Sequence, residues 1–460
     1  MKNLIKFSSY NLILVLFSFV LVLGCKSKPF KPKHFDSEIV NSWNALIMEM
    51  AVAEDGLLTL KGVRTEAMVY VAIHDGLNSI RPVYTFYKYE GKNRKANPIA
   101  TTAQAAYDIS SSQFPDQLLK LNAELEKWLN TVEDGESKDL GIQLGKEVAA
   151  IILSERSDDG WNDEVEYIWQ TMAPGVYAEF SEHSATPQGF VFGAGWARSK
   201  PFLLTAADQF RSPPPPDINS DTYTEAYNEV KEYGRFESQV RTIDQSHQAM
   251  WWKDFVENSH NRLARSLVSK ENLNLWESAR VFALLNMTIF DAYVNVFDNK
   301  FFYNHWRPYT AIRGAEMDGN DDTEADVEWD NLHKHTYAFP SYPSAHGSAS
   351  TAAMTVLANT LGKGDEYPFE MTTTEVDSAG PFSGKIEMYP PTRSFNQFSE
   401  AGLEAAMSRL FLGIHFRYDS EEGHSLGEKI GNYTSHKFLK LIKPEQLPTW
   451  SNYGYEYTWL

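Results

Sequence analysis

One cysteine, Cys25, stands in 460 residues, so no disulfide can form within the chain and a purely structural role for that thiol is hard to propose. Positive charge is also scarce. Lys and Arg number 42 against 61 Asp and Glu, a formal charge of −19, which argues against nucleic acid or an anionic lipid surface as a partner. An acidic exterior does not bar a buried anion pocket, because local hydrogen bonds and fields decide binding there. Beyond residue 23 no apolar run reads as long enough to cross a bilayer, and few stretches alternate as strands do.

What is present begins with an export signal. Lys2 and Lys6 head an apolar run from Leu12 to Leu23, which ends in Val22-Leu23-Gly24-Cys25. That pattern reads as a cleaved leader with Cys25 as the lipidated first residue of the mature chain. The expected body is exported and tethered to a bacterial envelope, touching the membrane through its lipid anchor only. With 43% hydrophobic and 13% aromatic residues it can bury a large core.

The periodicity is helical over Ser37 to Ala53, Val63 to Ile80, Ser137 to Ser154, Glu225 to Tyr233, Gln245 to Val268, Leu273 to Val296 and Ser344 to Leu361. Pro213 to Pro216 cannot be helix interior and reads as an extended connector. The sequence therefore divides into a leader (1–24), a tether (25–37), a first helical bundle (38–209), a Pro-rich connector (210–221), a second bundle (222–440) and a tail (441–460). The fold class is all-α. A faint echo links the halves: Ile73-His74-Asp75 with Asn78 resembles Ile289-Phe290-Asp291 with Asn295.

Chemistry concentrates in three segments of the second half. Lys300 and Arg307 are seven apart, so a helix here would put both cations on one face. Taken alone, such a pair is an ordinary solvated face. Pro340-Ser341-Tyr342-Pro343-Ser344-Ala345-His346-Gly347 leads into a small-residue helix, where free N–H groups and the dipole favour an anion. Ser344 suits the N-cap, and His346 suits proton transfer. In Arg409-x5-His415-x3-Asp419 a carboxylate lies four residues after a histidine and can fix its tautomer.

Together these segments resemble the tripartite signature of vanadium-dependent haloperoxidases and type 2 phosphatidic acid phosphatases: Lys-x6-Arg-Pro, Pro-Ser-Gly-His, and Ser-Arg-x5-His-x3-Asp. Trp196 to Phe202, Gln209 to Arg211 and Phe290-Asp291-Ala292 extend the likeness to soluble haloperoxidases. One position departs, since Ala345 stands where the family has glycine. The resemblance implies two helical bundles of the haloperoxidase and acid phosphatase type, with vanadate as cofactor in the second. It implies that His415 binds the metal through Nε2, that Lys300, Arg307 and Arg409 neutralise the oxyanion, and that Ser344 and the Ala345 N–H donate to it. His346 would be the acid–base residue, Lys300 would polarise bound peroxide, and Asp419 would support His415. Phe339, Phe297 and Trp306 are the candidates to line a halide pocket. Hydrogen peroxide and halide are the implied partners, iodide or bromide ahead of chloride, and soluble relatives are often homo-oligomers.

Two alternatives stay open. An acid phosphatase would use the same pocket, with His415 attacking phosphorus, and a surface lipoprotein could bind an anion or a partner without catalysis if Ala345 blocks the site. Three other motifs have plain readings. His333-Lys334-His335 reads as a solvated loop, Asp318 to Asp322 as an acidic loop lacking calcium-loop landmarks, and Gly423, Gly427 and Gly431 as a helix-packing stripe.

Overall fold

The computed structural model describes residues 31–55, 60–380 and 383–443, so the leader, Cys25 and residues 444–460 of the expected tail lie outside the described residues. The first half builds five helices of twelve residues or more: α1 (Glu38–Asp55), α2 (Leu60–Ile80), α3 (Pro98–Gln113), α4 (Leu118–Leu129) and α5 (Glu136–Glu155). Beyond them come a single helical turn at Ser181–Ser184 and a 3-10 turn at Trp196–Arg198. From 156 to 220 the chain runs mainly as extended segments and turns laid across the second half.

The second half contains α6 (Asp221–Tyr233), α7 (Ile243–Trp251), α8 (Val256–Lys270), α9 (Leu275–Tyr303), α10 (Pro308–Arg313), α11 (Ala345–Thr360), α12 (Phe398–Phe411) and α13 (Arg417–Lys437). Local chemistry sets several starts. Thr242 with Gln245 and Asn274 with Glu277 form capping boxes, and Asn97 caps α3 with Pro98 at its first position. The stretch read as one helix from Gln245 to Val268 is two, broken by a turn at 252–255. Between α11 and α12 lie two antiparallel strand pairs, Glu366–Thr372 with Thr392–Gln397 and Glu375–Asp377 with Lys385–Glu387.

Helix α9 is the axis of the fold. It is long and apolar enough to cross a membrane, contrary to the sequence reading, yet 94% of its apolar window is buried inside the protein. It packs on α2 from the first half and on α11 and α13 from the second. The sequence alone hides this because a fully enclosed helix and a spanning one share the same composition.

The echo between the halves has a physical counterpart. Asp75 on α2 accepts hydrogen bonds from the amides of Tyr87, Lys88 and Tyr89. Asp291 on α9 accepts from the amides of Phe202, Leu203 and Leu204 in the same way. Each core helix thus grips a returning strand of backbone with one buried carboxylate. Burial pushes both carboxyls up to about 6 against the opposing pull of those amides.

Further clamps align the wrapped segment with the site. Asn299 takes the Ser212 amide, Tyr177 N–H donates to the Asn304 carbonyl, and Phe192 N–H donates to the Ala338 carbonyl. Replacing Asp291 by Asn would keep shape and volume but turn an NH2 toward amide donors. Asp291→Asn should therefore lose on the order of 3 kcal/mol of unfolding free energy. Urea unfolding followed by tryptophan fluorescence measures this, and a loss below about 0.5 kcal/mol would show that the carboxylate does not hold the segment.

Candidate functional site

Lys300 occupies the last turn of α9, where Asn304 ends the helix in a left-handed conformation at φ 49°. Arg307 lies beyond that turn as the N-cap of α10. The two cations are therefore not on one continuous helix as their spacing suggested. They converge because the chain reverses between them. Both are fully buried.

The Lys300 ammonium donates to the Pro340 and Ser341 carbonyls, at 3.0 and 2.6 Å, and has one proton remaining. Arg307 donates from Nε to the Phe339 carbonyl and from Nη1 to the Ile414 carbonyl, while its Nη2 has no hydrogen-bond partner among the described residues. Both charges lie over the Phe339 ring, 5.2 and 4.7 Å from its centre. Arg409, in the last turn of α12, uses Nη2 on His346 and leaves Nε and Nη1 unpartnered.

None of the three makes a salt bridge among the described residues. Burial, reinforced by mutual repulsion, pushes the Lys300 amine well below its usual range. Burial likewise brings Arg307 and Arg409 down to about 10.

The histidines are fixed by their neighbours. After α12 the chain turns through Gly413 at φ +82°, and His415 follows just before α13. Its Nδ1 lies 2.9 Å from Asp419 Oδ2 and its Nε2 lies 3.2 Å from Arg307 Nη1. Asp419 accepts and Arg307 can only donate, so the proton is on Nδ1 and the Nε2 lone pair faces the Arg307 guanidinium. Ser341 completes the group by donating to Asp419 Oδ2, 3.2 Å from His415 Nδ1. The sequence singles out Ser344 and passes over Ser341, because only Ser344 precedes a helix.

On α11, Ser344 is the N-cap: its Oγ accepts from the Gly347 amide, leaving its own proton to donate. Ala345 is the first helical residue and is not among the positive-φ positions, so its methyl carries no backbone strain. His346 Nδ1 accepts from Arg409 at 3.0 Å, which puts its proton on Nε2, an atom without a partner. Trp252 meets the His346 ring edge-on at 6.4 Å.

The aromatic candidates separate. Phe297 packs on Phe339 with centroids 5.2 Å apart. Trp306 belongs to a different cluster with Tyr223 and Phe416, and no ring contact joins it to Phe339. The His333-Lys334-His335 segment is not a solvated loop. Lys334 adopts φ 49° and lies over Phe236, while Asn331 ties down the backbone and side chain of the turn. Both histidines consequently point inward and are buried. No group of three or more His, Cys, Asp or Glu among the described residues could hold a cation.

A tetrahedral oxyanion fits this donor set. Arg307 Nη2, Arg409 Nε and Nη1 and His346 Nε2 are buried and lack hydrogen-bond partners among the described residues, and Arg409 and His346 are joined directly. A buried donor left unpaired costs about 1–3 kcal/mol and a buried charge more. An anion relieves all of them together, and vanadate has the required shape and charge.

Residues 280–444 match the model of the VCPO second helical-bundle domain. The vanadium chloroperoxidase of Curvularia inaequalis is 24% identical over 33% of this chain and 30% of its own length. The vanadium-dependent bromoperoxidase of Ascophyllum nodosum is 32% identical over 23% of this chain and 19% of its own. Each match thus spans under a third of the curated relative. In fold the likeness is wider. The first bacterial vanadium-dependent iodoperoxidase superposes with a TM-score of 0.72 at 21% identity, covering 91% of this chain and 100% of that one. A bacterial vanadium-dependent chloroperoxidase gives 0.64 at 15% identity, over 89% and 98%.

Uncompensated buried charge has a measurable consequence. Orthovanadate at a hundred times its Kd should raise the unfolding free energy of the parent protein by about 2.7 kcal/mol. Arg409→Met should be at least as stable as the parent without added anion, and should lose most of that gain. Thermal scans with and without orthovanadate test this, and an equal shift in both proteins would remove Arg409 from the anion site.

Proposed function

We propose that this chain is a member of the vanadium haloperoxidase family, a vanadate-dependent haloperoxidase that oxidises halide with hydrogen peroxide to hypohalous acid; the family-model match over residues 280–444 and the likeness to vanadium haloperoxidases support the reading. The observation that carries the reading is the Nε2 lone pair of His415 turned toward the Arg307 guanidinium, with Lys300 and Arg409 buried near the same ring and none of the three in a salt bridge among the described residues. Bound vanadate supplies a Lewis-acidic centre that activates peroxide toward a halide without a change in oxidation state.

The chain's own residues supply the remainder. His415 would hold the metal at Nε2, with Asp419 keeping the proton on Nδ1 and so preserving the lone pair. Lys300, Arg307 and Arg409 would neutralise the oxyanion, and Lys300 would polarise the bound oxygen. Ser344 Oγ and the Ala345 amide, at the start of α11, donate to it. His346 exchanges a proton at Nε2 while Arg409 occupies its Nδ1.

Phe339 and Phe297 give the cations a dry wall, which favours large, weakly hydrated halides. The order of reactivity is iodide, then bromide, then chloride. The leader and Cys25 support an exported, lipid-anchored protein.

The test is peroxide-dependent halide oxidation by the mature domain after incubation with orthovanadate. Turnover in that order of halides is expected, with loss of at least a thousandfold in His415→Ala and competition by phosphate. The same Nε2 lone pair would also serve a phosphohistidine phosphatase. Hydrolysis of a phosphomonoester without vanadate, and no halide oxidation with it, would replace the peroxidase reading by that one.

A further inference from the structure

Ser341 sits between Lys300 and the His415–Asp419 pair, and every polar atom it owns is committed. Its side chain is fully enclosed. The hydroxyl donates to Asp419 Oδ2, the carbonyl accepts from the Lys300 ammonium at 2.6 Å, and the amide donates to the His305 carbonyl at 2.8 Å. One residue thereby touches both the cation at the end of α9 and the carboxylate on α13.

The hydroxyl has one proton and two places to send it. Its oxygen lies 3.2 Å from His415 Nδ1 as well as within reach of Asp419. A hydroxyl that donated to Nδ1 would leave the imidazole proton on Nε2 and abolish the lone pair there. Asp419 takes the proton instead, so the hydroxyl can only accept from Nδ1–H, and the tautomer is enforced from two sides.

The carboxylate is held in one orientation. Its Oδ2 accepts from Ser341, from His415 Nδ1 at 2.9 Å and from the Phe416 amide at 3.1 Å, while Oδ1 has no hydrogen-bond partner among the described residues. Burial raises this carboxyl to about 6, and the Ser341 hydrogen bond is the largest influence opposing that rise, ahead of the attraction of Lys300. Despite that attraction, the one ion pair of Asp419 among the described residues is with His415. The ammonium is occupied by the carbonyls of Pro340 and of Ser341 itself. A direct Lys300–Asp419 pair would cancel one of the three cations and draw the carboxylate off His415.

We propose that Ser341 is the positioning residue that keeps Asp419 on His415 and away from Lys300, so that the His415 Nε2 lone pair and the Lys300 charge both stay available to one oxyanion. Its purpose rests on the vanadate reading above, but the arrangement it maintains belongs to the anion-free protein and is measurable there. It acts through those two residues, since its own hydroxyl and carbonyl are already committed.

The experiment measures orthovanadate affinity by isothermal titration calorimetry in the parent, Ser341→Ala, Ser341→Thr, Asp419→Asn and the double variant of Ser341→Ala with Asp419→Asn. Histidine tautomers of the anion-free proteins are read in parallel by nitrogen NMR. Ser341→Ala should weaken orthovanadate about 10- to 100-fold, and Ser341→Thr, which keeps the hydroxyl, should recover most of that loss. His415 should show Nδ1–H with a bare Nε2 in the parent and a mixture of tautomers in Ser341→Ala. The double variant should bind about as well as Asp419→Asn alone, because the hydroxyl acts through that carboxylate. An affinity within about twofold of the parent in a folded Ser341→Ala would overturn the role, as would fully additive losses in the double variant. Equal losses in Ser341→Ala and Ser341→Thr would assign the effect to packing and overturn it as well. If Ser341→Ala does not fold, Ser341→Cys, with its far weaker donor, takes its place under the same criteria. A parent that binds no orthovanadate sinks the vanadate reading instead, and the tautomer then decides for Ser341 alone: an unchanged His415 in Ser341→Ala overturns the role, and a mixture upholds it.

Discussion

Three cations held inside the protein without a carboxylate among them is the condition on which the rest of this structure depends. Lys300, Arg307 and Arg409 are each nearly or completely enclosed, and their fields add. Such an arrangement raises the energy of the folded protein, since removing a charge from water costs several kcal/mol even after relaxation. Backbone carbonyls absorb part of the charge on Lys300 and Arg307, while Arg409 has only the His346 ring. Lys300 spends two protons on Pro340 and Ser341, and Arg307 spends two nitrogens on Phe339 and Ile414. What those carbonyls do not absorb would favour an oxyanion.

Holding carbonyls at fixed angles to a cation requires loops that do not move, and here the wrapped segment between the halves matters. Asp291 and Asn299 on α9 seize backbone amides of that segment, and its Phe192 amide reaches the Ala338 carbonyl beside the pocket. The repeated use of one carboxylate on three consecutive amides, at Asp75 and at Asp291, shows a single solution to the same problem in both halves. A helix can fix irregular backbone without a sheet.

Much of the site was legible in the sequence because its chemistry is local. The four-residue step from His415 to Asp419, the cap at Ser344 and the glycine stripe all follow from helix geometry, and each is present. Non-local features were not legible. The convergence of Lys300 and Arg307 arises from a chain reversal, not from a helical face. Ser341 matters only because a loop carries it to Asp419. His333 and His335 read as solvated, since nothing in a short polar run announces that Lys334 will take the left-handed turn and send its neighbours inward. The strand pairs between 366 and 397 were passed over although Tyr367, Phe369 and Met371 alternate inward along Glu366–Thr372, because a proline within so short a run weakens the signal.

The stripe of Gly423, Gly427 and Gly431 brings α13 against α11 so closely that a Cβ would stand 2.5 Å from the Ser344 carbonyl oxygen at Gly423 and 2.4 Å from that of Ser348 at Gly427. That seam leaves no room for a larger side chain on the side of the pocket formed by Ser344 to His346. Sequence drift is thereby channelled. Changes that enlarge, shrink or re-polarise the pocket have more room away from that seam, among Phe339, Tyr337 and their neighbours. Descendants of this protein can diverge in what they admit far more readily than in what they hold.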